Sequence, residues 1–217
     1  MKKLFLSIVL AFILTACSGA NSEQSTTAKT TTTEEGIVKE IKQEDTEMNN
    51  KKTVKGSNVG AKIETKIGTS TLLDVKNDYT ISTESGPLKI DILETQFVRF
   101  NLNNTGKNIL NTQEDSVTAV YIISRIENTS ENTISIYPDQ GKLVIPNTKE
   151  QTSASFFLGA GELGGEYIGQ VIKEGEAGFF IKSSPEEADS IKYVIGGYYD
   201  KTSGDVGEDI TIEIPMK

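Results

Sequence analysis

The chain reads as an all-β protein, an antiparallel sandwich of short strands behind a polar N-terminal tether. Three observations predict this. From about Asn58 onward, apolar residues recur at every second position, the period of a half-buried strand. Clusters of Gly, Pro, Asn and Asp interrupt those runs at short intervals, as turns do. Beyond residue 17 no long helical pattern competes with them.

The chain begins with a different grammar. Lys2 and Lys3 form a positive segment, and an apolar run follows from Leu4 to Leu14, broken only by Ser7. That length suits the core of a secretory signal. It is too short to cross a bilayer, which needs roughly 20 apolar residues. The run ends in Leu14-Thr15-Ala16-Cys17, and Cys17 is the sole cysteine. This stretch resembles the lipobox of bacterial lipoproteins: apolar, small or polar, small, Cys. The resemblance implies cleavage before Cys17 and a diacylglyceryl group on its sulfur. Residues 1–16 are thus expected to be a signal peptide. The expected location is the cell membrane, extracellular face, with the lipid on Cys17 as the link to the bilayer. One acyl chain binds marginally at about 0.8 kcal/mol per buried CH₂, whereas two hold firmly. Residues 9–16 also resemble a peptide pheromone in composition, as any apolar signal core does.

Residues 17–57 read as the lipidated Cys and a disordered tether. Ser, Thr, Gln, Asn and Glu dominate its first half, and mixed charges dominate the second. Such a segment buries too little apolar surface to repay chain entropy. A short amphipathic helix over residues 37–48 is the alternative, since Ile37, Ile41 and Met48 share a face. As a coil of about 40 residues, its ends lie roughly 35 Å apart. Fully stretched, it spans on the order of 130 Å.

Residues 58–217 carry the strands. After the turn signal Ser85-Gly86-Pro87, Leu88, Ile90 and Ile92 alternate with polar neighbours, and Val98, Phe100 and Leu102 continue the pattern. This predicts one long strand with a bulge near Glu94-Thr95. The polar stretch 101–115 reads as a loop. Residues 117–128 are apolar on both faces at the centre, which predicts a strand covered on both sides. The turn Glu127-Asn128-Thr129-Ser130 returns the chain into a strand at 133–137, with Ile134 and Ile136 inward. After the turn 138–141, further strands are expected at 142–145, 154–158, 167–172 and 177–182, with a turn at 173–176. Ser184 and Pro185 are expected to start one helical turn. Strands at 191–195 and 209–215 finish the chain. A closed barrel is the architectural alternative.

The strand 121–126 ending in Glu127-Asn128-Thr129-Ser130 is followed by the segment Glu174-Gly175-Glu176-Ala177-Gly178-Phe179-Phe180-Ile181 and then by Ile191-Lys192-Tyr193. In these residues and their order the chain resembles the immunoprotective-extracellular-protein-like domains of Gram-positive lipoproteins. The family usually has Pro-Gly before the Phe strand, where this chain has Glu174-Gly175. The resemblance covers roughly residues 71–215. It implies an immunoglobulin-like antiparallel β-sandwich outside the membrane, and it brings no catalytic residues with it.

Composition bounds the chemistry. Lys and Arg number 22 against 31 Asp and Glu, a net charge of −9. Removing residues 1–16 removes two lysines and no acid, which takes the charge to −11. Arg99 and Arg125 are the only arginines, so the clustered cations of a nucleic-acid surface are lacking. The sequence contains no His and no Trp. A Ser-His-Asp or Cys-His nucleophile therefore has no imidazole base, and His- and Cys-ligated metals have no ligands. No cofactor is expected. A carboxylate pair of the glycosidase type stays open on composition, with two acids about 5–10 Å apart.

Three stretches qualify as candidate sites. Gly159 to Gly165 has the glycines of a phosphate loop without its Lys-Ser/Thr, and reads as a hairpin or rim loop. Asp200, Asp205, Glu208 and Asp209 put four carboxylates in one loop, a possible calcium site off the EF-hand spacing. Tyr193, Tyr198 and Tyr199 beside Gly196-Gly197 form a possible binding patch, because Tyr suits recognition surfaces. The expected function is therefore a non-enzymatic, lipid-anchored binding module with an extracellular protein or a cell-wall partner. An accessory envelope-stress or immunity lipoprotein, acting on a toxin or a transporter, is the alternative, and a carboxylate-dependent wall-glycan hydrolase is the third.

Overall fold

The structure, a computed structural model, describes residues 58–159 and 163–217. Cys17, residues 1–16 read as a signal peptide, residues 17–57 read as a tether, and Gly161 of the glycine stretch lie outside the described residues. Thirteen strands build three antiparallel sheets among them. The chain is all-β and folds as an antiparallel sandwich.

The largest sheet holds β1 (Lys62–Thr65), β2 (Gly68–Lys76), β3 (Ile81–Ser85), β4 (Leu88–Leu102), β5 (Ser116–Asn128) and β10 (Val171–Ile181). The second holds β13 (Ile210–Pro215), β11 (Ser190–Ile195), β7 (Lys142–Ile145) and β8 (Glu150–Ser153) in that order. The smallest runs β12 (Tyr199–Asp200), β6 (Thr133–Ile136), β9 (Gly165–Ile168). No separate strand was expected at β1, β2 or β3, because they carry mostly Thr, Ser, Lys and Glu and few apolar residues mark their bounds.

The expected bulge in β4 falls one residue earlier. Ile92 faces Ser124 and Glu94 faces Ile123, which leaves Leu93 as the extra residue. A bulge flips the alternation. Leu88, Ile90, Ile92 and Phe97 therefore enter one core, while Val98 and Phe100 enter another on the opposite face. β4 also changes neighbours there, pairing with β3 through Leu88–Ile92 and with β2 from Thr95 onward.

The main core draws on all three sheets. Ile90, Val120, Ile122 and Ile126 of the large sheet meet Leu143, Tyr193 and Ile212 of the second, and Ile134, Ile136 and Tyr167 of the smallest. Burying each such side chain stabilises the fold by roughly 1.5–3 kcal/mol. On the other face of β5, Ala119 joins Leu72, Val98, Phe100 and Leu158. β5 is thus covered on both sides, as its sequence predicts.

Four local readings are corrected. Residues 101–115 are not a loop throughout: β4 continues to Leu102, and a short helix, α1 (Asn104–Leu110), follows. Asn103 caps it by accepting from Gly106 N–H at 2.9 Å, and Asn111 closes it in the left-handed region. Residues 154–158 are not a strand. β8 ends at Ser153, and Phe156–Leu158 form a 3₁₀ turn that plugs Leu158 into the second core. The strand expected at 167–172 is split by Gly169, whose φ of +65° turns β9 into β10. Residues 173–176 are not a turn but the middle of β10, which pairs with β5 without a break from Val171 to Ile181. Its Gly178 serves close packing, since a Cβ there would collide with Leu158.

The single helical turn is where the sequence puts it, at Pro185–Glu187, and the Glu187 carboxylate accepts from Ser184 N–H at 2.7 Å.

Candidate functional site

β6 builds the site by simple alternation. Ile134 and Ile136 are fully buried, so Thr133, Ser135 and Tyr137 lie on the opposite side. The register then sets their neighbours. Ser135 pairs with Glu166 of β9 on one flank and Tyr199 of β12 on the other, and Thr133 pairs with Ile168. Val206 bridges to Tyr199. One sheet face therefore carries Tyr137, Tyr199, Glu166, Ile168 and Val206 outward, with both tyrosines about half exposed (48% and 45%).

Lys201 lies on this face. Its ammonium is paired with the Glu166 carboxylate, which raises its pKa, and the phenols of Tyr137 and Tyr199 are near enough to add to the effect. Beneath them sits Ser135, only 8% exposed, whose hydroxyl has no hydrogen-bond partner among the described residues. A buried hydroxyl left unpaired carries a desolvation cost.

Asp200 holds the loop that presents Lys201. One carboxylate oxygen accepts from the N–H groups of Thr202 (2.8 Å) and Ser203 (3.1 Å), and the other accepts from Asn132 Nδ2 at 2.8 Å. The Asn132 bond, with those N–H groups, holds the Asp200 carboxyl below the usual range. Lys201 N–H then donates to Thr133 carbonyl at 2.9 Å. The possible calcium set is corrected accordingly. Asp205 accepts from Ser203 Oγ and Asp209 accepts from Gly197 N–H. Asp200, Asp205, Glu208 and Asp209 do not converge: among the described residues, no group of three or more acidic side chains is placed to hold a metal ion.

The tyrosine patch is also corrected. Tyr193 is fully buried, donates to Pro138 carbonyl at 2.6 Å and stands edge-on to Phe179 with ring centroids 5.7 Å apart. Burial pushes its phenol pKa up. Tyr198 is half-buried against the main core. Of the three, Tyr199 alone lies on the outward face, where its aromatic companion is Tyr137. The outward position of Tyr137 was readable from the Ile134/Ile136 alternation, but its proximity to Lys201 and Tyr199 was not.

A second feature is a shallow cleft of about 550 Å³ lined by Gly164, Ile172, Lys173 and Glu174. Lys173 Nζ stands 4.4 Å from the Tyr167 ring centroid. One Asp139 carboxylate oxygen nearby is buried without a partner, and burial raises its pKa. Glu174 is the one acid among the lining residues, and it leans towards Arg125 at 3.9 Å. This is not the paired-acid geometry of a glycosidase. Phe156 and Phe157 form a further exposed apolar spot beside the buried Leu158.

No family model matches the chain, and no curated protein matches it. Among solved structures, the chain is similar to a functionally unknown protein from Listeria monocytogenes EGD-e. The two are 12% identical, with a TM-score of 0.52, over 69% of this chain and 89% of that one. At that identity the likeness speaks to the fold alone.

Proposed function

We propose that this chain is a lipoprotein, anchored through Cys17 to the extracellular face of the cell membrane, whose sandwich binds a partner without catalysing a reaction. The observation that carries the binding is the outward face of the β12–β6–β9 sheet. It gathers Tyr137, Tyr199, Val206 and Ile168 around the Lys201–Glu166 pair. Exposed aromatics that keep a polar handle are the side chains recognition surfaces favour. The address rests on Lys2, Lys3, the short apolar run and Leu14-Thr15-Ala16-Cys17. The absence of His and the commitment of the one Cys to lipid support a non-enzymatic role. The resemblance to immunoprotective-extracellular-protein-like domains agrees with both.

Two experiments test it. Cys17→Ala is expected to release the protein into the medium or leave it unprocessed, and unchanged membrane retention would sink the anchor. Crosslinking on intact cells is expected to capture a partner that the Tyr137→Ala/Tyr199→Ala protein loses. Identical adducts from both proteins would remove the binding role from this face.

A further inference from the structure

We infer that the β12–β6–β9 face takes an uncharged glycan chain, its sugar rings stacked on Tyr137 and Tyr199. This rests on the binding reading and names the partner class for the same face. Size argues first. With strands about 4.8 Å apart and 3.3 Å per residue, three strands of two to four residues offer on the order of 200 Å² of flat surface. A stable protein partner covers about 800 Å² a side. The face suits a short run of a linear ligand.

Charge argues next. Lys201 and Glu166 cancel on a chain of net charge −9. A polyanion is repelled by the whole, and the carboxylates at the face are already engaged, Glu166 by Lys201 and Asp200 by Asn132, Thr202 and Ser203. A neutral polyol meets neither penalty.

Chemistry argues third. An aromatic ring presents a negative face, to which the weakly positive C–H groups of a sugar ring are drawn. Lys201 and Glu166 remain about half exposed (44% and 46%), with donors and lone pairs left for sugar hydroxyls. Thr133, Tyr137 and Tyr199 add hydroxyls along the same face.

The test uses the full chain in mild detergent, titrated with chitohexaose and with cellohexaose. Because the sequence has no Trp, emission comes from its seven tyrosines, the share lost in the Tyr137→Ala and Tyr199→Ala variants belongs to the face, and calorimetry gives the affinity. Saturable binding of at least one oligomer is expected. Tyr137→Ala and Tyr199→Ala should each weaken it by about tenfold with the melting temperature unchanged. Tyr199→Phe should keep most of it, because the stacking surface survives. Absence of saturable binding to both oligomers, or binding indifferent to both alanine variants, overturns the glycan assignment. Intact-cell crosslinking separates the two readings. If oligomers fail but the tyrosine variants lose a protein adduct, the partner class is wrong and the binding face stands. If neither readout responds to the variants, both fall.

Discussion

Tyr198 occupies the space that a side chain at Gly86 would need: a Cβ built there runs into the tyrosine hydroxyl. Gly86 opens the two-residue hairpin loop between β3 and β4 at φ +54°, the positive value a tight primed turn requires. The ring also lies against Gly207, so two glycines far apart in sequence clasp one aromatic. Gly86→Ala should destabilise by about 3 kcal/mol, combining left-handed strain with overpacking. In the Gly86→Ala/Tyr198→Ala double variant the collision is gone, and the combined loss should fall short of the sum by at least about 0.5 kcal/mol in urea unfolding. Strict additivity would refute the contact.

Asn128 pins the turn at 130–132 and the end of β9 from a fully buried position. Its Nδ2 donates to the carbonyls of Asn132 (2.8 Å) and Gly169 (2.9 Å), with a longer contact to that of Tyr167 (3.3 Å). Its Oδ1 accepts from Ser130 N–H and Oγ. Asn128→Ala leaves several buried groups unpaired and should cost about 3 kcal/mol. Asn128→Asp should be worse at neutral pH, since a carboxylate then faces three carbonyl oxygens. An Asp variant as stable as the wild type would contradict this pairing.

Glu150 ties β8 to the end of β10. Burial pushes its carboxyl up, but bonds from Ser183 Oγ and the N–H groups of Lys182 and Ser183 outweigh that and bring its pKa below the usual value. A depressed folded pKa stabilises above the ordinary carboxylate range, and the benefit fades as pH falls through the folded value. Glu150→Gln should therefore melt lower than the wild type at neutral pH, with the gap closing in acid. A gap that widens in acid would reverse the assignment.

Asp139 carries the opposite sign. Burial, ahead of its own backbone hydrogen bond and Lys173, leaves its pKa raised. Folding then favours the protonated form, and stability is lost as pH climbs from the ordinary range through the raised value. Asp139→Asn should raise the melting temperature at neutral pH and change little in acid. A neutral-pH loss would show that the carboxylate is needed charged.

Much of the fold was legible because period-two alternation survives in any strand that buries one face. The Ile pair of β6, the three Ile of β13 and the two-faced β5 are cases. The misreadings at residues 173–176 and 101–115 share a cause. Glycine and asparagine look alike in a turn, in a close-packed strand and at a helix cap, and only the neighbour decides: Leu163 for Gly175, the Gly106 N–H for Asn103. The motif Glu127-Asn128-Thr129-Ser130 was recognisable as a turn, but the three carbonyls around Asn128 belong to residues up to 41 positions away.

The sequence by itself determined the all-β class, the acidic and His-free chemistry, and the lipobox-like stretch ending in Cys17, because each is a matter of local pattern or residue inventory. Which tyrosines meet solvent was decided by the tertiary structure alone. Tyr193 entered the core, Tyr198 was clasped by Gly86 and Gly207, and Tyr199 reached Tyr137 through the pairing of β12 with β6. Three nearby tyrosines share a composition, but burial depends on which face each strand turns to a sheet that lies elsewhere in the chain.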